Sequence, residues 1–352
     1  MIEPARGNIL TDDSVEALVN TVNCVGVMGK GIALQFKKAF PENFKAYEIA
    51  CRREEITPGR MFVFETGQMF NPRFIINFPT KRHWRDKSRY EDIESGLKAL
   101  VQEVRQRKIR SIAIPPLGSG LGGLQWSRVR SMIESAFAEI PEVRVRLYEP
   151  KGTPAAKDMP VGTAKPKMTV ARALLIKLMK QYTRFAYRLT LLEIQKLAYF
   201  LQESGMDLKL RYVKHLYGPY AHNLNKVLEI LEGHHIQGYG DTQKPDMEIT
   251  LLPDAEKTAD HFLQINQNAA EHLERVANLV DGFETPYGME LLSSVHFAAI
   301  HDGAVSDAES VVAAMARWSD RKRRLFKPPH IQLAWERLQD EGWLNMSQAS
   351  GR

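Results

Sequence analysis

The chain has 352 residues, 44% hydrophobic and 26% charged, a length and composition typical of a globular protein with two domains. No apolar run approaches the roughly 20 residues of a membrane-spanning helix, and the N-terminus lacks the basic-then-apolar order of a signal peptide, so we expect a cytoplasmic protein that contacts no membrane. Two cysteines, Cys24 and Cys51, are too few for a disulfide framework or a cysteine zinc site, and the histidines lack metal-ligand spacing.

The formal net charge of +6 is unevenly distributed along the chain. Residues 1–150 carry 23 Lys and Arg against 18 Asp and Glu, a net of +5, whereas residues 168–352 carry 21 against 23, a net of −2. The first half is therefore the better candidate for contact with nucleic acid or another polyanionic ligand, although a net of +5 is also common on ordinary soluble domains.

Strands and helices alternate from Met1 to about Pro150, which indicates a compact α/β fold. Short apolar runs predict strands over residues Glu16–Val22, Met61–Glu65, Phe74–Phe78, Ile112–Pro115 and Val143–Tyr148. Helical spacing of apolar residues predicts helices over Gly31–Phe40, Glu42–Arg52, Tyr90–Arg107 and Trp126–Ala138.

Three loops that follow predicted strands carry chemically informative sequences. They are the first glycine loop (residues 23–31), the lysine loop (residues 78–85) and the second glycine loop (residues 115–124). Glycines let backbone N–H groups approach an anion, and each glycine loop leads into a helix N-terminus, so the pair favours a diphosphate ligand. Ligands of open α/β sheets collect at the carboxyl ends of strands, and we therefore expect the three loops to share one cleft.

The first glycine loop matches no familiar nucleotide-binding fingerprint, because Lys30 is not followed by the Ser or Thr of a P-loop. The alternative is a tight turn between a strand and a helix. Such a turn explains two of the glycines but leaves Asn20, Asn23 and the third glycine without a role. We therefore favour a ligand-binding loop.

Residues Lys151–Lys167 contain Gly, Pro, Ala and Lys with little apolar content, which predicts a linker. Beyond it, residues 168–345 are predicted to form a mainly helical domain, with one short strand near Glu248–Leu252. The expected helices are Leu174–Tyr187, Leu191–Glu203, Tyr220–Glu232, Ala259–Val280, Met289–Ile300, Ser310–Trp318 and Ile331–Trp343.

The first 150 or so residues resemble a macrodomain. The resemblance is carried, in order, by Gly7–Ile9, Val19–Cys24, Gly26–Ala33 and Pro115–Trp126. Asn77–Arg85 is similar, more narrowly, to the branch that contains the terminal ADP-ribose glycohydrolase and the DarG antitoxins of DarT–DarG toxin–antitoxin systems.

This resemblance implies a three-layer α/β/α fold with a mixed central sheet, which binds ADP-ribose and hydrolyses it from a macromolecule. For the DarG branch the implied substrate is single-stranded DNA ADP-ribosylated on thymidine by the DarT toxin. Lys81 is the implied catalytic residue, and Arg82, His83, Trp84 and Arg85 are the implied DNA contacts. No cofactor and no metal are implied. The implied ADP-ribose contacts are Asn8, Ile9, Asn20, Asn23, Gly26, Met28, Gly29, Gly31, Ile32, Thr80, Pro116, Gly118, Ser119, Gly120, Leu121 and Tyr148.

Two departures from the family pattern bear on mechanism. The second glycine loop contains no carboxylate, so a mechanism that pairs a lysine with an aspartate of that loop is not supported. Asn8 stands where many macrodomains place an aspartate that reads adenine, and its side-chain carbonyl retains the ability to accept a hydrogen bond.

Several of these residues also have simpler interpretations. From its own residues Lys81 would be interpreted as a solvated loop lysine that contacts a DNA phosphate, and it is the family resemblance that favours catalysis. Its cationic neighbours Arg82 and Arg85 would lower its pKa, which suits a catalytic amine. Trp84 either stacks on an unpaired base or packs under its own loop. Cys24 lacks an identifiable base and is interpreted as a small buried residue.

The second half resembles the helical antitoxin domains called Panacea or SocA-like, through Leu191–Gln202 and Tyr217–Tyr220. We interpret the first stretch as an amphipathic helix and the second as a turn in which Pro219 enters the next helix. The resemblance implies binding and inhibition of the DarT toxin. The basic run Arg317–Lys327 is interpreted as a solvated helix end, with DNA contact as the alternative.

The sequence therefore predicts an antitoxin that removes ADP-ribose from DNA and neutralises its toxin. The alternatives are a non-enzymatic ADP-ribose-binding module and a purely inhibitory toxin-binding protein.

Overall fold

The computed structural model describes residues 1–150, 159–185, 188–240, 247–265, 269–303 and 307–344. They form two compact units: the first comprises Met1–Lys165 together with Gly240, and the second comprises the other described residues from Pro166 onward. The predicted linker, Lys151–Lys167, lies outside the described residues as far as residue 158. The segment from Met159 to Lys165 is part of the first unit.

A six-stranded sheet forms the middle layer of the first unit. Its strands are β1 (Ile2–Ala5), β2 (Ala17–Val22), β3 (Phe62–Glu65), β4 (Phe74–Pro79), β5 (Ser111–Ile114) and β6 (Arg144–Tyr148). The spatial order is β1-β6-β5-β2-β4-β3, and every neighbouring pair is parallel except β3 with β4. Apolar runs identify all of these strands except β1, which Glu3 and Pro4 interrupt. Proline is tolerated there because β1 is an edge strand.

Helices cover both faces of this sheet. They are α1 (Gly31–Ala39), α2 (Pro41–Arg52), α3 (Tyr90–Gln106) and α4 (Trp126–Phe137). Neighbouring residues of β4 point to opposite faces, so Phe78 packs with Ile93 of α3 and Ile133 of α4, whereas Ile75 packs with Phe36 of α1. The predicted three-layer α/β/α fold with a mixed sheet is confirmed, and the predicted helix bounds agree with these to within one residue at each end.

The second unit is mainly helical, as predicted. Its helices are α5 (Val170–Tyr182), α6 (Leu191–Glu203), α7 (Leu224–Leu231), α8 (Ala255–Gln264), α9 (Ala269–Val280), α10 (Pro286–Ile300), α11 (Ala308–Trp318), α12 (Asp320–Leu325) and α13 (Pro328–Asp340). Two short antiparallel pairs accompany them, β7 (Tyr212–His215) with β8 (Gly218–Ala221), and β9 (Ile236–Gln237) with β10 (Thr250–Leu251). Over the described ranges no helix combines the length and apolar character needed to cross a membrane.

The Tyr217–Tyr220 stretch differs from its predicted form. Pro219 lies within β8, where it pairs with Lys214, and does not begin a helix. Gly218 has φ +92°, and a Cβ there would lie 2.8 Å from the hydroxyl of Ser294. The stretch is therefore the return strand of a hairpin pressed against α10, and the following helix, α7, begins at Leu224 rather than at Tyr220.

Helix α6 is buried on its polar side as well as its apolar side, so the amphipathic interpretation is wrong. Glu193, Gln195 and Lys196 are all 1% exposed or less. Glu193 completes a capping box with Thr190, and Lys196 donates from Nζ to the Pro219 carbonyl at 2.6 Å. Burial lowers the pKa of Lys196 to about 7.

The basic run is likewise not a solvated helix end over its whole length. Lys322 is fully buried and donates from Nζ to Glu290 (3.0 Å) and Ser294 (2.9 Å). Arg321 forms a bidentate pair with the same Glu290. These two cations therefore form ion pairs with a buried carboxylate of the second unit.

Candidate functional site

The first glycine loop leaves the carboxyl end of β2 and is held by Asn23. Its side-chain Oδ1 accepts hydrogen bonds from the backbone N–H groups of Val25 (2.9 Å) and Val27 (3.3 Å). The Tyr47 hydroxyl, on α2, donates to the Asn23 backbone carbonyl at 2.7 Å, and burial raises the pKa of Tyr47, so this proton stays in place. The loop is thus fixed in shape from beneath without a ligand.

Glycines allow the two glycine loops to approach each other. Gly26 and Gly31 have φ angles of +76° and +60°, in the left-handed region that favours glycine. A Cβ on Gly31 would lie 3.2 Å from Cδ1 of Leu121, in the second glycine loop. Gly31 begins α1, and Lys30 at the N-cap supplies no side-chain cap. The first turn of α1 therefore lies where the loops meet. The Gly31 N–H donates to the Gly240 carbonyl at 2.5 Å, so an anion there would be bound by the N–H groups that follow it in the turn.

The second glycine loop is packed tightly on its inner side. Gly118 has φ +66°, and its carbonyl accepts from the Leu124 N–H at 3.0 Å. A Cβ on Gly122 would lie 2.2 Å from both the Gly118 carbonyl oxygen and Ser88 Oγ, whereas a Cβ on Gly120 would meet nothing within 4 Å. The loop is therefore closed beneath and open at Gly120.

Lys81 lies between these loops. Its Nζ donates to the Leu121 carbonyl at 2.9 Å, and the side chain is half-buried. Burial is the main cause that lowers the pKa of Lys81; the nearby Lys87 lowers it further, and Asp86 opposes the shift. The amine is therefore easier to deprotonate than an ordinary surface lysine.

Backbone hydrogen bonds join the lysine loop to its neighbours. The Cys24 N–H donates to the Arg82 carbonyl at 3.1 Å, and the Ser88 N–H donates to the Gly122 carbonyl at 3.1 Å. The Cys24 thiol donates to the Lys81 carbonyl at 3.4 Å, and burial raises its pKa to about 11, which agrees with a structural cysteine. The structure thus brings the three loops together at one edge of the sheet.

Asn20 has a different position from the one expected for a ligand contact. It is fully buried, and its Nδ2 donates to Asn77 Oδ1 at 3.0 Å. Asn77 in turn donates from Nδ2 to Asn43 Oδ1 at 2.7 Å. These asparagines link β2, β4 and α2 beneath the first glycine loop. The geometry supports a positioning role for Asn20, because its side chain does not reach the cleft surface.

Other residues assigned to ADP-ribose also have structural partners. The Tyr148 hydroxyl donates to Asp12 at 2.8 Å, and burial raises the Tyr148 pKa. Asn8 caps a short helical turn, since its Oδ1 accepts from the Leu10 N–H at 3.0 Å. Ile9, Met28 and Thr80 are each 6% exposed or less. Pro116, Ser119, Leu121 and Ile32 are half-buried at the cleft, and Gly29 lies within the first glycine loop.

The four residues assigned to DNA differ in how available they are. Arg82 forms a bidentate pair with Asp92, at 2.6 and 3.0 Å, which fixes its guanidinium. Trp84 is 40% exposed, with the Arg85 guanidinium 4.5 Å from its ring centre and the His83 ring at 5.3 Å. Trp84 and Arg85 are exposed, and the Arg82 side chain is 53% exposed as well, although its ion pair with Asp92 fixes its guanidinium.

Sequence reasoning missed several residues that build the site. Lys87, Ser88, Asn43, Asn77 and Tyr47 each contact or influence a loop of the cleft. One signal was available: a polar Asn77 inside the apolar run of β4 needs a partner. Among the described residues, no group of three or more His, Cys, Asp or Glu side chains is placed to hold a metal ion.

Comparison with known proteins gives four relevant similarities. The family model called Macro domain matches residues 19–133. The chain is 48% identical over 344 residues to the DNA ADP-ribosyl glycohydrolase of Thermus aquaticus, covering 98% of this chain and 94% of that protein. It is 34% identical over 151 residues to a Thermosipho africanus DNA ADP-ribosyl transferase–DNA ADP-ribosyl glycohydrolase fusion protein, covering 39% of each chain.

One solved structure, the macrodomain of Mycobacterium tuberculosis DarG, is 54% identical and covers 43% of this chain and 99% of that chain, with a TM-score of 0.42. The full-length relative is the informative match, because it extends over both units of this chain.

Proposed function

The chain belongs to the family of DNA ADP-ribosyl glycohydrolases, and from this we propose that it removes ADP-ribose from thymidine bases in single-stranded DNA, reversing a DarT toxin. We further propose that the second unit binds the toxin and inhibits it. The fusion relative, whose name joins a transferase to a glycohydrolase in one chain, supports the pairing of two opposed activities.

The observation that carries the enzymatic proposal is the position of Lys81. Its amine lies at the second glycine loop, and Leu121 of that loop reaches Gly31 at the start of α1. A diphosphate held by the two glycine loops would therefore place the attached ribose near the amine. The site therefore contains an amine that can take part in bond cleavage at the ribose, in addition to the loops that would bind the diphosphate.

Hydrolysis breaks the bond between the anomeric carbon and the base nitrogen. The bond electrons leave with the nitrogen, which takes up a proton, and a water oxygen adds to the carbon. Burial lowers the pKa of Lys81, so a larger fraction of this amine is neutral than in an ordinary surface lysine, and a lysine amine can transfer a proton or act as a nucleophile. Asn23 and the glycine loops hold the substrate, and the exposed Trp84 offers a ring on which the neighbouring base can stack.

The test compares ADP-ribosylated single-stranded DNA with an ADP-ribosylated protein and measures release of ADP-ribose. The full chain is expected to release it from DNA and not from protein. Lys81→Ala should lower the release rate by about a hundredfold or more, as removal of a proton-transfer group does. The matched control is Lys45→Ala, an exposed lysine on α2 whose side chain is 66% accessible.

A second candidate is a non-enzymatic ADP-ribose reader, favoured by the absence of a carboxylate between Gly118 and Gly123. The same assay separates the two. Tight binding of ADP-ribose without release from DNA by the unmodified chain would support the reader and refute the hydrolase.

A further inference from the structure

A short segment beyond the sheet lies against the first unit near Asn8. Met159 packs against the buried cluster that contains Ile9 and Phe36, and its sulfur accepts a hydrogen bond from Asn8 Nδ2 at 3.5 Å. Ile32, in the first turn of α1, packs against the same cluster. Met159 and Ile32 are thus two half-buried apolar side chains on the same buried cluster, and Ile32 directly follows the first glycine loop.

Gly162 fastens this segment to α1. Its N–H donates to the Lys38 carbonyl at 2.7 Å. A Cβ at this position would lie 2.5 Å from the Ala39 carbonyl oxygen, so any side chain would push the segment away from the helix. The close approach therefore depends on glycine, and it holds Met159 in place.

The order of strands shows which end of a ligand would reach this surface. The lysine loop follows β4, the two glycine loops follow β2 and β5, and Met159 and Asn8 lie beyond β6 and β1. At about 4.8 Å per strand, β6 and β4 are roughly 14 Å apart across the sheet. With the reacting ribose at Lys81 and the diphosphate at the glycine loops, the other end of the ligand extends toward β6 and β1.

We propose that Met159 forms a wall of the nucleobase subsite, packing against the purine ring while it holds the Asn8 side chain in place. This inference rests on the proposed function, because it takes ADP-ribose as the ligand. A thioether is polarisable and packs well against aromatic rings. The Met159 sulfur accepts a hydrogen bond from Asn8 Nδ2, and Asn8 Oδ1 accepts one from the Leu10 N–H. Together these two hydrogen bonds fix the orientation of the Asn8 carboxamide.

The test uses the full chain with two measurements: the Kd of ADP-ribose by calorimetry, and the kcat and KM for release of ADP-ribose from modified DNA. Met159→Ala should raise both Kd and KM by about tenfold and leave kcat unchanged, because contacts to a remote part of the substrate act on binding alone. Met159→Leu should stay within about threefold of the unmodified chain, since it conserves volume. Val161→Ala, an exposed position of the same segment, is the matched control.

Gly162→Val provides an independent test, because it displaces the segment without altering Met159. It should reproduce the rise in Kd while the melting temperature of the first unit shows that the fold is retained. Values of Kd for Met159→Ala and Gly162→Val within twofold of the unmodified chain would overturn the inference. If the unmodified chain binds ADP-ribose but releases none from DNA, the proposed function fails, and the Kd series still tests the role of Met159.

Discussion

The charge environment of Lys81 differs from the one its sequence neighbours imply. Arg82, the adjacent cation, is paired with Asp92 and is not among the groups that shift the pKa of Lys81. The groups that act on Lys81 besides burial are Lys87 and Asp86, which have opposite effects on its pKa. The pKa of Lys81 therefore depends on burial and on one cation and one carboxylate that both follow it in the chain.

This arrangement predicts opposite pH effects for two substitutions. Removing a neighbouring cation favours protonation of Lys81, so Lys87→Gln should raise its pKa and move the corresponding limb of the pH–rate profile to higher pH. Asp86→Asn should move the same limb to lower pH. The direction holds whether the neutral amine or the ammonium is the active form, because either limb follows the same pKa.

The measurement is the pH dependence of kcat/KM for release of ADP-ribose from DNA, with Lys45→Gln as the control for loss of a distant positive charge. Shifts of the two variants in the same direction, or no shift in either, would show that Lys81 does not set the profile.

At the scale of elements, α3 fixes the end of β4 from which the lysine loop emerges. Phe78 is fully buried two residues before Thr80, and its ring lies under Gly96 of α3. A Cβ on Gly96 would lie 2.2 Å from Cζ of Phe78, so the helix and strand approach as closely as a glycine allows. The position of Lys81 therefore depends on a packing contact on the opposite side of the strand.

Gly96→Ala should destabilise the first unit by about 1–3 kcal/mol, since overpacking forces the Phe78 ring from its place. It should also lower kcat, because the end of β4 shifts with the ring. Native-state hydrogen exchange at the β4 amides reports the free energy of opening for this unit alone.

The matched control for Gly96→Ala is Lys98→Ala, whose side chain is 73% accessible on the same helix and whose loss should change stability by less than about 0.5 kcal/mol. Adding Phe78→Leu to Gly96→Ala should restore part of the stability, because the two substitutions share one contact. Equal losses of stability for Gly96→Ala and Lys98→Ala would contradict this account.

Apolar periodicity predicted the elements of the first unit well, because its parallel strands are buried on both faces and its helices on one. It failed where polar groups are interior. Lys196 and Lys322 are buried against backbone and Glu290, and nothing in their spacing distinguishes them from surface lysines. Asn20 shows the same limit within the site, since a buried supporting amide and a ligand-binding amide look identical in sequence. Pro219 was misplaced because a proline that begins a helix also fits a short strand.

At the scale of the whole molecule, the two proposed activities fall in different units. Lys81, both glycine loops and Trp84 all belong to the first unit. The second half carries a net charge of −2 against +5 for the first 150 residues, so the basic half is the one that would contact DNA. We therefore expect the proposed inhibition of the toxin to be separable from the hydrolysis of its product.

A chain that begins at Pro166 should therefore protect cells that express DarT by inhibiting the toxin. Residues 1–165 should protect them by removing ADP-ribose from DNA. Full-length Lys81→Ala should retain the protection given by the second unit while modified DNA accumulates. The measurement combines cell survival with the amount of ADP-ribosylated DNA. Full protection by residues 1–165 and none by the fragment from Pro166 would show that hydrolysis alone neutralises the toxin.

The hydrogen bond from Lys81 Nζ to the Leu121 carbonyl links the amine to the second glycine loop. The Leu121 side chain in turn lies close to Gly31, since a Cβ there would be 3.2 Å from Leu121 Cδ1. A substitution that moves the backbone of this loop should therefore move the amine as well, because a hydrogen bond to a charged group contributes about 1.5–3 kcal/mol. The loop proposed to bind the diphosphate thus also orients the amine proposed to act on the ribose.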